Sequence, residues 1–394
     1  MLQRKILSLC VLMMLCGCTL QNPKDRVVID HTRDIAEIQA KNMINTLTNP
    51  KTPLPRSVQD TGQLKAVRTA DWTSGFFPGC LWYLYEATGK SQWLEQAQSF
   101  TSLLESQQYN EGTHDVGFIM YCSYGNGYRL TQNPAYKDIL LQSARSLITR
   151  FSPTTGCIRS WDFNKDQWQF PVIIDNMMNL ELLFWAARES GNKQFYDIAV
   201  SHADTTLKNH FREDGSCWHV VDYDRETGDV RLRQTHQGFS DDSSWSRGQS
   251  WGIYGFTLCY RETGDSRYLK QAQKAADYML NHPNLPDDSV AYWDLVAPNI
   301  PDEPRDASSA AILCSALYEL STHLGKQGTP YREAADRILH SLCSETYLAK
   351  PGENQNFLLM HSVGSRPKNS EVNVPLIYAD YYLLEALKRK EALN

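Results

Sequence analysis

"RESGNKQF" (188–195) and "RETGDSRY" (261–268) share one layout: a helix end, a turn residue and, four positions later, an aromatic that opens the next helix. "EATGKSQW" (86–93) and "RLTQNPAY" (129–136) repeat it, and "LGKQGTPY" (324–331) is a looser fifth copy. Gly89, Gly191 and Gly264 suit the left-handed position just past a helix end, where a residue without Cβ meets no clash. Trp93, Tyr136, Phe195, Tyr268 and Tyr331 then begin amphipathic stretches such as "YLKQAQKAADYML" (268–280). A corner that recurs in this way means an array of helical hairpins.

Apolar periodicity extends the array to about twelve helices, near 33–48, 73–88, 91–108, 117–130, 134–151, 176–189, 192–211, 247–263, 265–282, 306–323, 330–346 and 375–390. Even-numbered helices are apolar on nearly every side, as in "GFFPGCLWYLY" (75–85), "NMMNLELLFWAA" (176–187) and "SSAAILCSALYEL" (308–320). Helices of that kind belong inside. Six hairpins can stack as an open solenoid or close as a toroid, and the split between apolar and amphipathic helices favours closure. The expected fold is all-α, a double ring with inner helices enclosed by outer ones. Strand-like material is confined to short pieces such as "SCWHVVDYD" (216–224) and "DVRLRQTH" (229–236).

At the start, "MLQRKILSLCVLMMLCGCTL" (1–20) sets Arg4 and Lys5 before an apolar run from Ile6 to Leu15. The run is too short to span a bilayer and fits a secretory signal. Leu15-Cys16-Gly17-Cys18 resembles the bacterial lipobox, which implies removal of residues 1–17 and lipidation of Cys18. Residues 18–30 are then expected to be a tether and 31–394 a single domain. That organisation puts the protein in the cell envelope of a Gram-negative bacterium, held to the membrane through acyl chains alone.

Cys80, Cys122, Cys157, Cys217, Cys259, Cys314 and Cys343 are odd in number and unpaired in spacing, so they read as small core residues. Net charge is −6 with no basic run, which argues against a nucleic-acid partner. Any anionic ligand must be met by a few placed cations. With 10 Trp and 20 Tyr, aromatics in polar segments can supply flat faces for sugar rings. No metal-ligand spacing and no phosphate-binding glycine loop occurs, and no cofactor is implied.

The unusual polar segments fall at one kind of place. "ADWTSGFFPG" (70–79), "GTHDVGF" (112–118), "IIDNMMN" (173–179), "GFSDDSSWSRGQSWG" (238–252), "DEPRDASS" (302–309) and "NSEVNVP" (369–375) each precede an even-numbered helix. In a ring of hairpins those ends share one face. Trp72, His114, Asp115, Asp175, Arg247 and Trp251 should therefore converge at one mouth. Each also has a plain reading: Asp115 and Asp175 as helix caps, Arg247 as a partner of Asp241 or Asp242, Trp251 as packing. Convergence of all six is hard to obtain from independent caps. His219 and Gln237 lie in long connections, where site residues concentrate. The loop "HSVGSRPKNSEV" (361–372) adds Ser362, Ser365, Arg366 and Lys368 before the last helix, either a solvated loop or a set of donors for charge-assisted hydrogen bonds to an anionic ligand.

"THDVGF", "IIDNMMNLELL", "WHVVDYD", "THQGF", "SWSRGQSWGIYGF" and "SEVNVPLIYADYYLLEAL" together resemble the unsaturated glucuronyl hydrolases of glycoside hydrolase family 88, over nearly the whole chain past the signal. The resemblance implies an (α/α)6 barrel. It implies Asp175 as general acid/base and Asp115 as second catalytic carboxylate. It implies substrate contacts for Trp72, His114, Trp161, His219, Gln237, Arg247 and Trp251, with Trp161 in "RSWDF" (159–163) the loosest match. The implied substrate is a lyase product, an oligosaccharide capped by a uronate with a C4=C5 double bond, of chondroitin, hyaluronan or heparin type. The related rhamnogalacturonyl hydrolases typically carry Asn-Gly-Trp where this chain has Gln249-Ser250-Trp251. Two alternatives remain at this level, a rhamnogalacturonyl hydrolase and a non-catalytic, lipid-anchored glycan-binding protein. The second would not need two aspartates among apolar neighbours at one mouth.

Overall fold

The computed structural model describes residues 23–393. The expected signal peptide (1–17) and Cys18 lie outside the described residues. Part of the expected tether lies inside them and is helical: α1 (Pro23–Thr46) begins ten residues before the expected start at 33.

The expected corners form. α2 (Phe76–Thr88), α7 (Leu180–Ser190) and α9 (Ser246–Thr263) end on Gly89, Gly191 and Gly264, with φ of 65°, 70° and 71°. Each glycine N–H returns to a carbonyl of the last turn. In "RLTQNPAY" the same left-handed position is taken by Gln132, φ 55°. The next helices start on side-chain caps: Asn133 for α6 (Pro134–Ile148), Asn192 for α8 (Lys193–Asn209) and Asp265 for α10 (Ser266–Leu280).

α4 (Val116–Met120) runs through a π-helical turn, Tyr121–Gly125, into α5 (Asn126–Thr131), so the two make one rod. With α3 (Ser91–Ser102), α11 (Ala307–Thr322), α12 (Thr329–Leu342) and α13 (Ile377–Ala392), the chain has twelve rods among the described residues. The inner ones touch in a closed cycle: α2, α4–α5, α7, α9, α11, α13 and back to α2. This is an (α/α)6 barrel. Apolar composition on all sides sends α11 and α2 to the centre, where nearly every residue of α11 is buried. Outer helices such as α10 bury one stripe only, Tyr268, Ala272, Ala275, Ala276 and Met279.

Short antiparallel strands decorate the barrel. β1 (Leu54–Val58) pairs with β2 (Leu64–Val67), and β3 (Phe151–Ser152) pairs with β4 (Cys157–Ile158). β8 (Ser362–Ser365) pairs with β9 (Ser370–Val374). The three-stranded sheet orders β5 (Phe170–Ile173), β6 (Val220–Tyr223) and β7 (Val230–Gln234). β6 and β7 are the strand-like pieces expected from sequence. Six of the seven cysteines in the described residues are buried, and all seven are free thiols.

Candidate functional site

A cleft of about 300 Å³ opens at the amino ends of the inner helices. Trp72, His114, Asp115, Trp161, Asp175, Gln237, Arg247, Ser365 and Lys368 line it, so nine of the thirteen expected site residues meet there. They come from four of the six segments that precede inner helices and from the long connections, and a fifth segment, 369–375, adds Ser370 and Glu371 to the lining. The remaining segment contributes Asp306, which binds Arg247 from behind.

Asp175 follows β5 and is the second residue of a 3-10 turn, Ile174–Asn179, that leads into α7. It caps nothing. No side chain caps that turn, and the Asp175 Oδ2 is buried without a hydrogen-bond partner. The turn is held by its asparagines instead. Asn176 Nδ2 donates to Ile158 O at 2.8 Å, and Asn179 Oδ1 accepts from Phe118 N at 2.8 Å. Gly117 permits that approach, since a Cβ there would stand 2.4 Å from Asn179 Oδ1. "DNMMN" therefore locks α4 to α7 while leaving its aspartate free to face the cleft.

Burial raises the Asp175 carboxyl to about 7, against the pull of Arg247 and a backbone hydrogen bond; Asp115 pushes it up further and the Trp251 indole opposes. The carboxylate and its acid are thus both populated near neutrality, as proton transfer in both directions requires. His219 Nε2 stands 3.8 Å from Asp175 Oδ2. The His219 Nδ1 accepts N–H bonds from His236 and Gln237 at 3.1 and 3.2 Å, which fixes its proton on Nε2, facing the acid. Burial drives the His219 pKa well below the usual imidazole value, so the ring is neutral.

Asp115 stands at the mouth of α4, where no side chain caps the helix. Its Oδ2 accepts from Thr113 Oγ1 at 2.9 Å, and its Oδ1 lies 3.3 Å from His114 Nε2. His114 is buried, and that burial lowers its pKa. Two uncapped carboxylates, each beside a neutral imidazole, face one cleft. Trp72 is braced by Tyr378, Phe76 and Phe118 at 5.0, 5.8 and 5.8 Å between ring centroids.

Three expectations change. Trp251 is fully buried and packs against Phe118 and Tyr382 at 5.3 and 5.4 Å. It lies beneath Asp175 and presents no face to a sugar. Ser362 is buried on β8 and does not line the cleft. Arg247 borders the cleft but is committed elsewhere. Its guanidinium donates to Asp306 Oδ2 at 2.9 Å, to Gly364 O at 2.7 Å and to Val363 O. It also lies 4.6 Å from the Trp245 ring. Its partner is neither Asp241 nor Asp242; it clamps β8 to α9 and α11. The diagnostic Gln249 is likewise internal, bonding Gly215 O, Ala275 O and Cys217 N.

His236, Arg56, Glu371 and Tyr378 also line the cleft. His236 and Tyr378 stand inside motifs read from sequence, next to Gln237 and in the first turn of α13. Arg56 had no signal beyond its place in a short strand. It grips Glu371 at 2.6 and 2.9 Å and Asp71 at 2.9 Å. With Arg56 and Arg247 both neutralised, Lys368 is the lining Lys or Arg that forms no ion pair among the described residues.

Residues 48–262 match the family model described as Glycosyl Hydrolase Family 88. A Formosa agariphila protein named unsaturated glucuronyl hydrolase is 48% identical over 377 residues, covering 95% of this chain and 94% of its own. The crystal structure of an unsaturated glucuronyl hydrolase specific for heparin matches with a TM-score of 0.90 at 47% identity, over 93% of this chain and 98% of that one. A relative solved with dGlcA-Glc-Rha-Glc matches with a TM-score of 0.86 at 27% identity, over 91% of this chain and 96% of that one. The converging inner-helix ends, the uncapped carboxylates and these likenesses lead to one family: the chain belongs to Glycosyl Hydrolase Family 88 and is a glycoside hydrolase.

Proposed function

We propose that this chain is an unsaturated glucuronyl hydrolase acting on lyase-generated glycosaminoglycan disaccharides and oligosaccharides, with Asp175 as proton donor. The observation that carries the reading is Asp175 itself: a carboxyl at a helix mouth that caps nothing, has an unpartnered oxygen, and is raised to about 7 by burial. Comparison with the heparin-specific and other unsaturated glucuronyl hydrolases supports the substrate class.

The double bond of the substrate's terminal uronate is an enol ether. Asp175 gives its proton to C4, the π pair forms the new C–H bond, and the cation at C5 is shared with the ring oxygen. The Asp175 carboxylate then takes a proton from a water whose oxygen bonds C5. The product is a hemiketal that opens; the hemiacetal left at C1 collapses, releasing the next sugar and a 4-deoxy-5-keto uronate. No bond is attacked at the anomeric carbon, so the carboxylate-separation rule for retaining and inverting enzymes does not govern this reaction. Asp115 favours the protonated form of Asp175. Trp72 and Trp161 offer ring faces, and Gln237, Ser365 and Lys368 offer donors to the sugar and its anionic groups.

Attachment to the cell envelope through lipid on Cys18 belongs to the same reading, and rests on Leu15-Cys16-Gly17-Cys18 after the apolar run. A Cys18→Ser variant should then leave the membrane fraction. The activity is tested by side-by-side turnover of chondroitin-, heparin- and pectin-derived unsaturated disaccharides, followed as loss of their ultraviolet absorbance. Turnover of the glycosaminoglycan products is the expected result. Preference for the pectin product would move the assignment to the rhamnogalacturonyl type, and no turnover of any would end it.

A further inference from the structure

The cleft wall continues outward as a row of rings that the reaction does not require. Trp161 and His236 line the cleft. Phe163 lies outside the lining and stacks on Trp161 at 4.9 Å and 29°. Trp168 backs both, 5.3 Å from Trp161 and 5.9 Å from Phe163. Trp168 is buried, and its Nε1 donates to Gln234 Oε1 at 2.9 Å. Phe163 is 46% exposed.

We infer that Phe163 is the platform for the second sugar beyond the cleaved linkage, a subsite that favours unsaturated tetrasaccharides over disaccharides. The inference rests on the reading of the cleft as an unsaturated-uronate site. The order of groups gives the direction: Asp175, then His219 at 3.8 Å, then the Trp161 ring 5.8 Å from His219, then Phe163. A chain whose terminal uronate sits at Asp175 runs past Trp161 and reaches Phe163 next.

Packing alone does not account for Phe163. Trp161 already rests on the pinned Trp168, and nearly half of the Phe163 surface faces solvent. The loop is also built to stay in place. Arg150 donates to Asp162 Oδ2 at 2.7 Å, Arg159 O at 2.8 Å and Glu111 O at 2.8 Å, holding one end. Trp168 N and Gln167 N return to Asn164 O at 2.9 and 3.0 Å, closing the other. An aromatic face fixed before binding loses little freedom on taking a sugar ring, so its stacking energy is retained as affinity.

The experiment measures binding by calorimetry in an Asp175→Asn background, with and without Phe163→Ala, using an unsaturated disaccharide and the tetrasaccharide of the same polymer. The expected result is a fall of roughly three- to tenfold in the tetrasaccharide-over-disaccharide affinity ratio. Phe163→Tyr should restore the ratio. An unaltered ratio overturns the subsite, whether both ligands bind less well, as a mere prop for Trp161 would give, or neither does. Turnover of the disaccharide by the unsubstituted protein is the separate test of the underlying reading, and its absence leaves the affinity ratio to decide the platform.

Discussion

Replacing Asp175 by Asn separates a proton donor from a structural carboxylate, because the burial that would keep a donor protonated also costs stability. The folded protein holds the Asp175 proton up to about pH 7, whereas an unfolded chain sheds it near 3.8. Between those values the folded state binds the extra proton, so stability falls as pH rises through the window, and the loss is complete above about 7. Three units of displacement amount to about 4 kcal/mol at the upper limit. Asn has nearly the same shape and cannot ionise, so Asp175→Asn should recover up to that amount at pH 8 and nothing near pH 4. With an unfolding entropy of about 2.1 cal/mol/K per residue, 4 kcal/mol over roughly 370 residues raises Tm by about 5 °C. Turnover, read as loss of ultraviolet absorbance, should fall by roughly a thousandfold or more, since an amide neither protonates C4 nor takes a proton from water. Thermal melts at pH 4 and pH 8 supply the other half of the test. A Tm offset equal at both pH values would refute the burial argument, and near-normal turnover would refute the donor.

Three other outcomes are expected. kcat/KM should decline above about pH 7 as Asp175 loses its proton; a profile level to pH 9 would assign the proton to another group. Lys368→Ala should raise KM for a sulfated disaccharide more than for its unsulfated counterpart, because Lys368, unlike the lining Arg56 and Arg247, forms no ion pair among the described residues; equal effects would remove it from sulfate recognition. Arg247→Lys should destabilise the fold by about 3 kcal/mol, since a single ammonium leaves Asp306 or the carbonyls of Val363 and Gly364 short of donors. An unchanged Tm with lost efficiency would instead put the guanidinium on the sugar carboxylate.

The barrel was legible because its information is local and repeated. A glycine or Gln132 in the left-handed position, with the next helix starting almost at once, is written within eight residues and recurs around the ring. The small strands were less legible for the converse reason. β3 and β4 have two residues each, too few for any alternation to register, and β8–β9 forms around residues with positive φ such as Asn369 and Glu371. β5 was hidden because all four of its residues are buried, so it reads as the apolar run-up to α7.

The location of the site was legible for a topological reason, whereas the depth of each residue within it was not. Closing the ring puts the amino ends of the inner helices on one face whatever their side chains do, so Asp175, Asp115 and Trp72 could be brought together from helix order alone. Depth depends on how far each side chain sinks between neighbours that are distant in sequence. Arg247 and Trp251 occupy successive turns of one face of α9 and read alike as sugar contacts. Yet Arg247 is taken by Asp306, 59 positions away, and by carbonyls of β8, more than a hundred positions away. Trp251 is sealed under Phe118 and Tyr382. Both hold the Asp175 pKa down against the rise that burial imposes, Arg247 by its charge and Trp251 by its indole. A residue that tunes an acid from below and one that grips a sugar from above leave the same mark in a sequence motif. They differ only in which side of the carboxylate the fold puts them.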